Sequence, residues 1–245
     1  MQNGGYQLQM PTLTRINKII IISYVALFVL DSIFSKAMGI SLGAMFGLSG
    51  AKFFSGHIYQ VITFPMIGTG LMEVVFNGLL FWLIGCELEV LWGERRYLLF
   101  LTATTLGSAF VFLIFSYFLK GAWIYPMLGM GGIVNALLLA YAILYPNRTF
   151  SFMLIFPVAA KYFCALIIFM QLYMGFFSSG AAVIWGQLGA MLFAFLFMLQ
   201  QTKLSQKMRV NINDFNRERK KNKFTLIQGE RDDENGDDHP PKYFQ

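Results

Sequence analysis

The sequence predicts an all-α polytopic membrane protein: six transmembrane helices with a partly embedded loop between the first and the second. Three observations carry this. Apolar residues make up 56% of the chain and charged residues 13%, where soluble domains use about half and about a quarter. The 26 Phe and 14 Met need a surrounding other than water, and mean hydropathy is +0.56. The apolar material also falls into blocks of roughly 20 residues, the length that crosses a hydrocarbon core about 30 Å thick. A soluble single domain is excluded.

Residues 1–18 are a polar segment on the cytoplasmic side, and the run after them lacks a small-residue cleavage site, so no cleavable signal peptide is expected. The six spans are expected at about 19–38, 71–92, 95–119, 127–145, 152–175 and 181–200. The stretch 39–70 is too broken by Gly39, Gly43, Gly47, Gly50, Gly56, Pro65, Gly68 and Gly70 for a plain spanning helix. It reads as a partly embedded loop, which a membrane tolerates only where protein satisfies the backbone polar groups. Cys86 and Cys164 lie at or within apolar blocks and read as inert packing residues. With only His57 and His239, little is left for a metal cluster, and neither cofactor nor metal is expected.

Six spans place both termini on one side. That side collects Arg15, Lys18, Arg95, Arg96, Arg148, Lys161 and ten Lys or Arg after residue 200, leaving Lys36, Lys52 and Lys120 opposite. By the positive-inside rule both ends are cytoplasmic, and a bacterial inner membrane or its equivalent is the expected location. The membrane domain is 19–200, and 201–245 is a charged tail. A basic stretch from Lys203 to Lys223 precedes an acidic one with Glu230, Asp232, Asp233, Glu234, Asp237 and Asp238. The tail reads as a solvated, largely disordered extension, its alternative role being to press the basic part onto anionic lipid.

Polar groups within a bilayer are functional candidates because leaving them unpaired there costs several kcal/mol. Asp31, Glu73, Asn77, Asn135 and Gln187 stand out. Glu73 and Asn77 are four apart and share one helical face. Asp31 has no evident partner: it either snorkels toward the interface near Lys36 or pairs with Asn77 or Gln187. Glu89 and Arg96, with Glu94 and Arg95 near by, read as a local ion-pair and capping arrangement at the junction of the second and third spans, with client binding as the alternative. Gly129-Met130-Gly131-Gly132 and Gly186-Gln187-Leu188-Gly189-Ala190 supply small residues that let helix backbones approach closely.

These pieces occur in a definite order: Tyr59-Gln60-Val61-Ile62-Thr63, Glu73-x-x-x-Asn77, Gly85-x-x-Leu88-Glu89-x-x-Trp92-Gly93-x-x-Arg96, Gly129-x-Gly131-Gly132, Tyr145-Pro146-Asn147-Arg148 and Gly186-Gln187-Leu188-Gly189. Over roughly residues 12–200 that order and spacing resemble the rhomboid family of intramembrane serine proteases. The resemblance implies a rhomboid-like six-helix bundle. It also implies a serine nucleophile opening the fourth span, a histidine base in the sixth, and a histidine and an asparagine of the second span at the oxyanion hole.

The sequence departs from that pattern where the chemistry lies. The nucleophile position is Gly131, the base position is Gln187, and the second-span histidine position is Glu73, while the oxyanion asparagine is kept as Asn77. Glycine offers no nucleophile, and a carboxamide does not take up a proton near neutral pH. The resemblance therefore implies a catalytically inactive member, a pseudoprotease. Such a member is expected to bind transmembrane client proteins and influence their folding, trafficking or degradation, using a polar cavity lined by Glu73, Asn77, Asn135 and Gln187. Expected partners are membrane lipids and membrane clients, with no nucleic acid. Two alternatives stand beside this. Gly47-Leu48-Ser49-Gly50 with His57 would make an active serine-type endopeptidase, though the motif is not followed directly by an apolar helix. Asp31 and Glu73 would alternatively line a proton or ion pathway.

Overall fold

The computed structural model describes residues 12–39, 41–119, 123–152, 156–178 and 180–221. The protein is an all-α polytopic membrane protein. Its helices are α1 (Arg15–Met38), α2 (Leu42–Phe46), α3 (Gly50–Phe54), α4 (Gln60–Thr63), α5 (Leu71–Trp92), α6 (Glu94–Phe118), α7 (Gly131–Leu144), α8 (Ala160–Phe177) and α9 (Ala181–Lys221). A 3₁₀ turn at Phe64–Met66 follows α4, and an antiparallel hairpin, β1 (Thr149–Phe152) and β2 (Phe156–Ala159), precedes α8. The chain divides into two units, Met1–Gln201 and Thr202–Gln245.

Among the described residues five helices are long and apolar enough to cross a membrane: α1, α5, α6, α8 and the Ala181–Gln201 part of α9. The expected fourth span is shorter than the rest. Helix α7 has 14 residues, about 21 Å at 1.5 Å per residue, and most of it is buried among its neighbours. A helix surrounded by protein does not need to match the hydrocarbon thickness by itself. The residues before it, expected as helix from 127, instead form a backbone bridge from Met127 to Leu48 and the turn that leads into Gly131.

The fifth span begins at Ala160 rather than 152, because Thr149–Phe152 and Phe156–Ala159 are paired strands, with Ser151 paired to Pro157. Pro157 is the reason: inside a helix it would remove a backbone hydrogen bond and clash with the preceding turn. In the tail, residues 202–221, expected as part of a largely disordered extension, are helical. No Gly or Pro interrupts that stretch, and it is rich in Lys and Arg, which favour helix. The acidic stretch 230–238 lies outside the described residues.

The core gathers α5, α6 and α7 around Phe81, Leu88, Phe100, Leu137 and Ala140, with Tyr24 of α1 and Met191 and Ala194 of α9. A second cluster, Leu48, Phe64, Phe112 and Met127, seats the 41–66 loop against α6. That loop meets the demand that embedded backbone be satisfied. Buried Gln60 donates through Nε2 to the Met45 carbonyl at 3.0 Å and accepts the Ser49 amide at 3.4 Å. Thr63 Oγ1 donates to the Phe46 carbonyl at 2.8 Å and Tyr59 Oη to Met45 at 3.3 Å. Leu48 and Met127 exchange amide bonds at 3.1 and 2.7 Å, the Ala51 amide bonds Trp123, and the Gly129 amide bonds Phe64 at 3.1 Å. The loop is thus stitched to the segment that leads into α7.

Two expected polar roles change. Asp31 is neither snorkelled beside Lys36 nor paired with Asn77 or Gln187; its Oδ1 accepts the Leu42 amide at 2.7 Å, at the start of α2. Glu89 and Arg96 form no ion pair, and Arg96 is exposed. Buried Glu89 instead reaches the start of α1. It accepts Thr14 Oγ1 at 2.5 Å, Asn17 Nδ2 at 2.6 Å and the amides of Ile16 and Asn17 at 3.3 Å each. Tyr97 Oη donates to Asn17 Oδ1 at 2.8 Å. The first amides of a helix have no intrahelical partner and favour a nearby negative charge, so Glu89 caps α1 from α5. The capping half of the expectation is right in kind, but its object is a different helix. On the same helix as Glu89, Glu87 pairs with Arg148 of the Tyr145-Pro146-Asn147-Arg148 turn, whose guanidinium also donates to Tyr141 Oη at 3.2 Å.

Candidate functional site

The site forms where α5, α7, α8 and α9 meet. Gly131 is the first residue of α7, and a side chain there would begin in a confined space. A Cβ on Gly131 would lie 3.1 Å from Gln187 Nε2 of α9 and 4.0 Å from Asn77 Nδ2 of α5. The three positions singled out in separate parts of the sequence thus surround one point. Gln187 Oε1 is occupied, accepting Gln171 Nε2 of α8 at 3.4 Å, which leaves its amide nitrogen turned toward the space beside Gly131.

Glu73 borders this point from the first turn of α5. Its Oε2 accepts the Thr69 amide at 3.2 Å and the Thr69 hydroxyl, and its Oε1 accepts Asn77 Nδ2 at 3.4 Å. A carboxylate reaching back past the N-cap satisfies otherwise orphaned donors, so Glu73 fixes the start of α5 as well as bordering the site. Its other neighbour is Gly129, whose φ of +91° is open to glycine and whose missing Cβ would sit on Glu73 Oε1. The turn into α7 and the Glu73 carboxylate therefore exclude any larger residue at 129.

Gly132 and Gly189 shape the walls. A Cβ on Gly132 would meet Ser108 Oγ at 3.2 Å and Ala190 Cβ and Gln187 Cα at 3.5 Å, and one on Gly189 would meet Val111 Cβ at 2.6 Å. Ser108 Oγ donates to the Gly186 carbonyl at 2.8 Å. The glycines let α6, α7 and α9 approach closely enough to bring Gln187 to Gly131.

Asn135 stands apart. It lies one turn along α7 from Gly131 and half-buried, and among the described residues it makes no hydrogen bond. Two residues that the sequence reading passed over do belong here. Gln171 is buried, and among the described residues its Oε1 finds no partner; the buried Tyr24 hydroxyl lies beside Asn77 and the Met130 backbone but makes no hydrogen bond of good geometry among the described residues. An orphaned buried polar atom costs about 1–3 kcal/mol, so these two mark the site as polar and incompletely satisfied from within. The signal for Gln171 was present, a lone amide in an apolar run.

Ser49 and His57 do not form a pair. Ser49 is buried at the start of α3, with its amide on Gln60 Oε1. His57 is exposed, with Nδ1 3.2 Å from the Lys52 carbonyl. Among the described residues no hydroxyl is hydrogen-bonded to an imidazole. The hydroxyl of Thr69 is committed to Glu73 and that of Ser108 to a backbone carbonyl. What the arrangement offers is a set of amide and hydroxyl groups around an empty side-chain position.

Residues 18–227 match the model of a family described as eukaryotic integral membrane protein (DUF1751). That description does not fit the bacterial inner membrane expected from the sequence. No curated protein matches the chain.

Proposed function

This chain belongs to that family of eukaryotic integral membrane proteins, and from this premise we propose that it is a rhomboid-like pseudoprotease that binds transmembrane segments of other proteins. The observation that carries the reading is the meeting of Gly131, Gln187 and Asn77, with Gln187 Nε2 only 3.1 Å from where a nucleophile's Cβ would stand. In a hydrolytic relative an alcohol at the first position is activated by an imidazole at the second, since a hydroxyl is a weak nucleophile without an adjacent base. Here the first position has no side chain and the second cannot take up a proton.

The donors and acceptors remain. Gln187 Nε2, Asn77 Nδ2, Gln171 Oε1 and the Tyr24 hydroxyl offer hydrogen bonds to a client helix that carries polar groups into the bilayer. Interhelical bonds of this kind contribute about 0.6–2 kcal/mol each. Several together discriminate a polar or poorly packed segment from an apolar one, with modest selectivity. The consequence for the client lies in its folding, trafficking or degradation.

Two experiments test this. A photo-crosslinker placed at residue 187 in native membranes is expected to trap transmembrane segments; no adducts, or adducts with soluble proteins alone, would overturn client binding. The purified protein is expected to stay unlabelled by a fluorophosphonate probe. Labelling abolished by Ser49→Ala would replace this reading with a protease.

A further inference from the structure

From Gly131 to Ile143 every residue of α7 is buried except Gly131, Asn135, Leu139 and Ile143. These are spaced four apart and form one stripe along the helix, while its other sides face protein. The stripe is the edge of α7 that a molecule arriving from the lipid can reach. Three of its members are glycine or aliphatic and ask for nothing but packing. Asn135 differs: its whole carboxamide, two N–H donors and a carbonyl, goes unused among the described residues. It stands about 6 Å along α7 from Gly131, in a run of Ile, Val, Leu and Ala. Leaving such a group unmet away from water is costly, and polar groups within spans mark functional sites. Sharing the face of Gly131, it opens on the same side as Gln187 Nε2, which lies 3.1 Å from a Gly131 Cβ.

The unmet groups choose the occupant by chemistry. An ionised carboxylate offers acceptors alone and would oppose Asn135 Oδ1; an ammonium offers donors alone and leaves Nδ2 unmet; a hydroxyl has one atom for both tasks. A second carboxamide presents an N–H and a C=O side by side and closes two bonds with Asn135 at once. It is also neutral, and charge is what makes a side chain most costly at that depth. We propose that the open stripe of α7 docks the client helix, and that Asn135 selects clients carrying Asn or Gln within the membrane. This rests on the client-binding reading and narrows it to a substrate class.

The test uses the full-length protein with a donor fluorophore fused after its last residue, reconstituted in phosphatidylcholine vesicles. Acceptor-labelled peptides, each a Leu/Ala span of about 20 residues, carry one central Asn, Gln, Lys or Leu, and energy transfer at rising peptide-to-lipid ratio reads their affinity. The Asn and Gln peptides are expected to bind about tenfold more tightly than the Leu and Lys peptides, the gain of one or two interhelical hydrogen bonds. Asn135→Leu is expected to remove that preference, and Asn135→Gln, which keeps the carboxamide, to retain it. Asn135→Leu combined with Leu139→Asn moves the amide by one turn and is expected to transfer the preference to a peptide whose Asn is moved by four residues. Equal affinities for the Asn, Gln and Leu peptides would overturn the selection while client binding stands. Binding of none of the peptides would overturn both. A preference that survives Asn135→Leu, or tighter binding of the Lys peptide, also overturns it. Energy transfer between differently labelled copies of the protein that Asn135→Leu abolishes, with no preference among peptides, would make the occupant a second copy and would equally sink the proposal.

Discussion

Gly131 leaves an unfilled position with an amide already turned toward it, and this geometry sets a sharp expectation at the level of single residues. Gly131→Ser alone is expected to stay silent toward a fluorophosphonate probe, because Gln187 cannot accept the hydroxyl proton. Gln187→His alone is expected to stay silent for want of a nucleophile. The double variant places a hydroxyl beside an imidazole and is expected to label; equal labelling of a single variant would break the correspondence drawn here. Gly129→Ala is expected to cost about 1–3 kcal/mol in thermal unfolding in detergent, from left-handed strain and the collision with Glu73. Glu73→Ala in the same chain should recover the collision but not the strain. Glu73, Asn77 and Gln187 were legible because each is a polar group in an apolar run. The partner of Asp31 was not, because it is a backbone amide on another element, and a backbone amide has no letter in the sequence; those of Glu89 were not, because the Thr14 and Asn17 side chains and the amides beside them sit at the start of α1, far away in the chain, where no local spacing announces the pairing.

Single elements are held by contacts from distant parts of the chain. Glu89 takes four hydrogen bonds from the start of α1, so Glu89→Ala is expected to lower stability by several kcal/mol, on the order of 1–3 for each buried donor left unmet. Arg96→Ala, in the same apparent motif, is expected to stay within about 0.5 kcal/mol, as surface changes do. The contrast, read by denaturant unfolding in micelles, separates capping from ion pairing. Gly189→Leu is expected to split α9 from α6, since even a Cβ there meets Val111 at 2.6 Å. Lengths and periods of α1, α5 and α6 were readable from hydropathy alone. The strand pair Thr149–Phe152 and Phe156–Ala159 was not, because its residues are as apolar as a span and only Pro157 argues otherwise. The shortness of α7 was hidden for a related reason: apolar residues continue upstream of Gly131 although the backbone there is tied to the 41–66 loop.

For the molecule as a whole, five long apolar helices and the short α7 bear on one countable property, the number of crossings. If α7 completes a crossing within its protein surroundings, both termini are expected on one side. Protease accessibility of tags at residue 1 and residue 245 in sealed vesicles checks this; opposite sides would mean five crossings. The membrane class was legible from composition, and family membership agrees with it.

The amide exchange between Leu48 and Met127, with the bonds from Gly129 to Phe64 and from Ala51 to Trp123, also has a mechanical meaning. The Leu48–Met127 pairing is antiparallel, so tension applied through the two ends peels it open from one end, and releasing these cross-links frees the 41–66 segment and the start of α7 together. Magnetic-tweezer traces are expected to show one long step for these two regions. A plateau with 41–66 extended while α7 remains folded would mean that the stitches yield singly.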